Sequence, residues 1–156
     1  MSMKELTAAL VLPALLGTVA FAQEHGTAAE AKAMLEKAAA AIKADKAKAL
    51  ATFTEDAKNK KGEFYLKDLY VFCGGPDGNF TAHPTLVGKP MRTLMDKSPT
   101  PKPIGEEFYK AADAGGGEVK YMWPLPTGGE PREKVSYITK AGDQVCGVGY
   151  YPSPPK

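Results

Sequence analysis

Histidine and cysteine are scarce in this chain: His25, His83, Cys73 and Cys146 are all it has in 156 residues. None of them combines with aspartate or glutamate at metal-ligand spacing, so no metal site is expected. The motifs G-x-S-x-G, G-x-x-x-x-G-K-[ST] and G-x-G-x-x-G are missing, which removes the usual signatures of a serine hydrolase, a nucleotidase and a dinucleotide enzyme. C-x-x-C is missing too, and with it a dithiol redox role. No enzyme activity and no cofactor are therefore expected. Charge of one sign is also lacking. Lys and Arg number 20 against 18 Asp and Glu, a net charge of +2 that gives no reason to expect nucleic acid as a partner. There is no internal repeat and no coiled-coil heptad.

What is present begins at the N-terminus. Lys4 precedes an apolar block over residues 6–21, which ends in Ala20-Phe21-Ala22. A charged start, a hydrophobic stretch and an A-x-A-type cut predict a secretory signal peptide over residues 1–22. The block is broken by Pro13 and Gly17 and is short for crossing a bilayer. No cysteine lies near the cut, so no lipid anchor is indicated. The mature chain should begin near Gln23 and carry no stable membrane anchor; an uncleaved anchor is the competing reading. Removing 22 of the 156 residues leaves 134, the length of one domain. Export would let Cys73 and Cys146 form a disulfide closing a loop of 73 residues, a constraint of about 4 kcal/mol in the chain-entropy model. Two small buried thiols are the alternative.

His25 is read as lying in a disordered mature N-terminus. Thr27 and Glu30 then make a capping box. Behind it Ala31, Met34, Leu35, Ala38, Ala41 and Ile42 recur at helical spacing, an alanine-rich stripe suited to packing on a sheet. A second helix is predicted over 47–53, broken by the polar residues 56–61. Beyond Gly62 the pattern turns extended. A strand over 66–73, turn chemistry over 74–79 and a strand over 80–83 predict a hairpin with a long loop. Residues 84–103 carry five prolines and read as irregular, with one helical turn near 91–95. A short helix over 104–114 buries Phe108, Ala111 and Ala112 and exits through Gly115-Gly116-Gly117. Strands follow over 118–123, 132–139 and 144–151, the first two joined by a loop over 124–131, and a proline-rich tail occupies 152–156. The order predicts an α+β fold, a long N-terminal helix packed on a five-stranded antiparallel sheet.

Alternation along the strands assigns faces. Leu69, Val71 and Cys73 share one face of the first strand, and Tyr70 and Phe72 share the other. If the cysteines are paired, Gly147 and Gly149 join the Tyr70/Phe72 face, where missing side chains leave a hollow roofed by the proline-rich segment and the short helix. Lys134 falls in mid-strand, which has two readings. With Tyr70, Phe72, Tyr121 and Trp123 it makes an aromatic site holding one cation, suited to a small carboxylate; otherwise it sits at an edge and suppresses strand pairing. Tyr137 has the opposite parity. Arg92 is either a second anion anchor or an ordinary surface arginine.

Leu69-Tyr70-Val71-Phe72, Asp77-Gly78-Asn79, Ala82-His83-Pro84, Leu86-Val87-Gly88-Lys89, Tyr121-Met122-Trp123-Pro124 and Lys134-Val135-Ser136-Tyr137, taken in order, resemble single-Cache sensor domains. The likeness spans 27–151. It implies a PAS-like sheet backed by a long helix, as in the extracytoplasmic domains of chemoreceptors and sensor kinases, and a small organic acid or amino acid as ligand. The ligand-face residues it implies are Tyr70, Phe72, His83, Trp123 and Lys134. Membrane-anchored members of that family carry an output module that this sequence lacks, so the resemblance implies a periplasmic binding domain that presents its ligand to a membrane receptor or sensor kinase. A structural or interaction module with no small-molecule ligand is the alternative.

Overall fold

The computed structural model describes residues 25–152. The predicted signal peptide, its cut and residues 153–156 of the tail lie outside the described residues. Helix α1 (Ala28–Ala44) starts at the predicted capping box: the Thr27 hydroxyl accepts the Glu30 N–H at 3.1 Å, and the Glu30 carboxylate accepts the Thr27 N–H at 2.8 Å. Its buried residues are Ala31, Met34, Leu35, Ala38 and Ile42. Asp45 ends α1 and caps α2 (Lys46–Asn59), accepting the Lys48 N–H at 3.1 Å. The predicted break at residue 56 does not occur. Ala49, Phe53 and Ala57 form an i, i+4 stripe that carries the helix through its polar last turn.

The strand predicted over 66–73 is two strands. β1 (Tyr65–Leu66) turns at Lys67, whose φ is 60°, into β2 (Leu69–Gly74). β3 (Phe80–Ala82) pairs with β2 as predicted, and α3 (Ile104–Asp113) follows the irregular segment. Residues 91–95 hold a turn closed by the Leu94 N–H to Met91 O bond of 3.0 Å rather than a helical turn. β4 (Gly117–Leu125) and β5 (Gly128–Ala141) extend through most of the predicted loop over 124–131. Pro124 fits because it sits where the register shifts, at a point that needs no ladder bond. β6 (Gln144–Tyr150) completes a sheet of six strands, with order β1-β2-β6-β5-β4 and β3 beside β2. Every pairing is antiparallel.

Alternation then separates two cores. On one face Leu69, Val71, Cys73, Cys146 and Val148 meet α1 and α2. Cys73 and Cys146 are directly opposed in the β2–β6 register and are joined as a disulfide with S–S 2.04 Å. On the other face Tyr70, Phe72, Val119, Tyr121 and Ile138 are covered by Met91, Ile104 and Phe108, so the irregular segment and α3 form the roof that the sequence predicts. The chain start differs from its reading. His25 Nδ1 lies 2.7 Å from the Asp68 carboxylate, and the Gly26 N–H donates to the same carboxylate at 2.7 Å, so residues 25–26 are tied to the β1–β2 turn.

Candidate functional site

β2 presents Tyr70 and Phe72 to the roofed face, β4 presents Tyr121 and Trp123, and α3 adds Phe108. Together with Phe80, His83 and Leu94 they enclose a cavity of about 10 Å³, the space of one water-sized sphere. The rings pack mostly edge to face or tilted: Phe72 to Phe108 at 5.2 Å, Phe108 to Tyr121 at 5.4 Å and Tyr121 to Trp123 at 6.2 Å between centroids. Outward the cavity meets a vestibule of about 450 Å³ that shares Tyr70, His83, Leu94 and Trp123 with it. Neither lining includes an aspartate or glutamate.

The polar groups here are donors. Lys134 is 1% exposed, and β5 lies between β6 and β4, so the edge reading fails. Its ammonium donates to the Tyr70 hydroxyl at 3.2 Å and sits 4.3 Å from the Tyr70 ring centroid and 5.3 Å from that of Tyr151. It has no ion pair among the described residues. Because Tyr70 accepts that bond, its own proton is free to donate elsewhere. His83 Nδ1 accepts the N–H groups of Thr85 at 3.0 Å and Leu86 at 3.1 Å, which leaves the proton on Nε2. Burial, and then the Lys134 charge, pull the His83 imidazole down to about 3, so the ring is neutral at physiological pH. Tyr121 shares a 2.7 Å hydrogen bond with Ser136, and burial pushes its phenol far above the ordinary range.

The cavity rim is held by Asp96. Burial works to raise this carboxyl, but donors outweigh it. The Lys102 N–H at 2.8 Å, the Ser98 hydroxyl at 2.7 Å and the Met122 N–H at 3.1 Å bring it down to about 2. The neighbouring Lys97 ammonium then lies 5.5 Å from the Trp123 ring centroid.

Four of the five predicted ligand-face residues, Tyr70, Phe72, His83 and Trp123, thus line one cavity. Lys134 does not line it and stands behind Tyr70. The predicted hollow is also displaced. A Cβ on Gly147 would overlap Phe72 and Ile138, and one on Gly149 would overlap Lys134 and Ser136. The glycines make room for neighbouring side chains, and the cavity lies farther out, beneath Leu94 and Trp123. Arg92 is placed elsewhere, 3.8 Å over the Tyr109 ring and 3.7 Å from Glu106. Tyr137 stacks on Tyr150 by the helix-backed face. Sequence reasoning missed Phe80, Leu94 and Phe108 as cavity walls. Parity hid the first: Phe80 and Ala82, two residues apart, would share a face in a regular strand, yet the register shift at Cys73/Gly74 puts Ala82 in the helix-backed core and Phe80 in the aromatic one. Nothing local marks Leu94.

The sequence profile of the Cache domain family matches residues 26–151. The chain belongs to the Cache domain family. Three solved structures resemble this Cache domain across most of their length. The methyl-accepting chemotaxis protein of Vibrio parahaemolyticus superposes with a TM-score of 0.61 at 24% identity, over 79% of this chain and 86% of that one. A periplasmic sensor domain of a chemotaxis protein superposes with a TM-score of 0.57 at 24% identity, over 78% and 88%. A Cache chemosensory domain, solved for its carboxylic acid recognition, superposes with a TM-score of 0.55 at 25% identity, over 78% and 86%. The sensor histidine kinase MctS of Rhizobium johnstonii is 31% identical over 90 residues, 56% of this chain. The chain spans only 20% of that kinase's length. Two of the three solved structures are described as a sensor or chemosensory domain. No helix among the described residues is long and apolar enough to cross a membrane.

Proposed function

We propose that this Cache domain is a periplasmic sensor module that binds a small organic acid by its carboxylate and presents it to a membrane receptor or sensor kinase. The observation that carries this reading is an aromatic cavity with no acid in its lining, whose donors, Tyr70 and neutral His83, are backed by a buried lysine without an ion pair among the described residues. A bound carboxylate would accept from the Tyr70 hydroxyl and His83 Nε2–H, and the Lys134 ammonium behind Tyr70 would supply the opposite charge in a low-dielectric setting. The acid's apolar end would rest on Trp123 and Leu94. An amino acid fits less well, since its ammonium would meet no carboxylate in either lining. Export rests on the predicted signal peptide and on the similarity to a periplasmic sensor domain. The membrane partner follows the sensor kinase relative.

The small size of the cavity favours a second reading, a structural or interaction module without a ligand. Thermal unfolding in the presence of acetate, propionate and pyruvate separates the two. An acid at 100 times its dissociation constant should add about 2.7 kcal/mol of stability to the wild type and far less to Tyr70→Phe. No response to any acid in wild type would leave the structural module standing.

A further inference from the structure

We infer that the vestibule is a second anion subsite, and that the ligand it selects is an unbranched α,ω-dicarboxylate with an apolar spacer. This rests on the carboxylate reading of the inner cavity and extends it outward. The cavity holds no more than one water-sized sphere, so a ligand's head sits at its mouth, on the Tyr70 and His83 that both spaces share, and the rest of any ligand must occupy the 450 Å³ outside. The walls there are apolar: Leu86, Leu94, Leu125 and Pro124 flank the Trp123 ring and suit a methylene chain. The rim is cationic. Lys58 and Lys60 come from the end of α2 and Lys97 from the irregular segment, and all three line the vestibule.

None of these three lysines takes part in an ion pair among the described residues. With no acid in the lining, a second carboxylate arriving there meets cations and no like charge. Two of the three have fixed backbones. Lys60 is the left-handed C-cap of α2, with φ 53° and its N–H bonded to Asp56 O. Lys97 follows the buried Asp96, whose four hydrogen bonds fix the backbone beside the Trp123 ring. A short monoacid would fill the inner site and leave the lysines unmatched. A diacid of sufficient reach engages both ends.

Hexanoate and adipate share a six-carbon chain and differ in the second carboxylate, so they serve as matched probes for calorimetric titration at low salt. Adipate should bind wild type about tenfold more tightly than hexanoate, three exposed charge contacts at a few tenths of a kcal/mol each. The triple variant Lys58→Gln, Lys60→Asn, Lys97→Gln should erase that difference by weakening adipate far more than hexanoate; asparagine at 60 keeps a residue that tolerates φ > 0. Raising the salt should shrink the adipate advantage in wild type only. Equal binding of the two acids by wild type overturns the inference, as does a triple variant that keeps the preference for adipate. Binding of acetate or propionate without binding of either longer acid overturns it too, and leaves the inner carboxylate site intact. Binding of no acid at all removes both readings together.

Discussion

The two faces of one sheet are built to different rules. The helix-backed face joins Leu69, Val71 and Val148 to the alanine stripe of α1, with a disulfide at its centre. One residue along each strand lies the opposite face, where aromatic rings, a buried lysine and a buried histidine surround a cavity. The first face maximises packed apolar area. The second gives up packing to hold polar groups out of water, a burden carried where a ligand can compensate it. Stability and recognition are thus divided by the two-residue period of the strand, and substitutions on the two faces should differ in kind.

The largest loss should come from the helix-backed face. Phe53 is fully buried against Phe64 at 4.6 Å, and Phe53→Ala should lower unfolding free energy by about 3–5 kcal/mol in urea titrations. The stabilisation by a bound acid should persist in that variant; its disappearance would mean the faces are not separable. Acid titration probes the other face. The unfolded chain protonates His83 near 6.5 and the folded chain only near 3, so between those values the unfolded state holds more protons and stability falls as pH falls. About 2 kcal/mol should be lost from this group between pH 6.5 and roughly 5, and His83→Gln should flatten that slope. Gly149→Ala should cost about 1–3 kcal/mol, since its Cβ would overlap Lys134 and Ser136. In a double-mutant cycle with Lys134→Ala, much of that cost should vanish; additive costs would refute the packing described for Gly149. Smallest in stability is Lys134→Met, which keeps the aliphatic stem and should change unfolding by less than about 1 kcal/mol or raise it. That variant should nonetheless lose its thermal response to carboxylic acids.

Face assignment was legible in the sequence because it depends only on strand parity. Leu69 and Val71 fall opposite Tyr70 and Phe72 whatever the tertiary detail, and the paired cysteines then fix the side on which Gly147 and Gly149 lie. The capping box at Thr27 and the roof over Tyr70 were legible for similarly local reasons. The extent of the strands was not. Prolines 124 and 131 read as breakers, yet both fall in the gap left by the β4–β5 register shift, and Pro131 lies beyond the last β5–β6 pair at Val135. The cavity's position was misread because a glycine shows only that a side chain is missing there; the space over Gly149 is taken by Lys134 from the neighbouring strand. Three lysines from two distant segments meet at one opening, and no local pattern could have announced that.

A consequence follows from the cross-strand bond between Cys73 and Cys146. Sliding either strand by a single residue would exchange inside for outside along its whole length, sending Tyr70 and Phe72 toward the helices and Val71 toward the aromatic cavity. Because the two sulfurs join residues directly opposite each other, no such slip is open to the oxidised chain. The crosslink therefore guards the identity of each surface as well as the strength of the fold, and it keeps the aromatic wall where an incoming acid would need it.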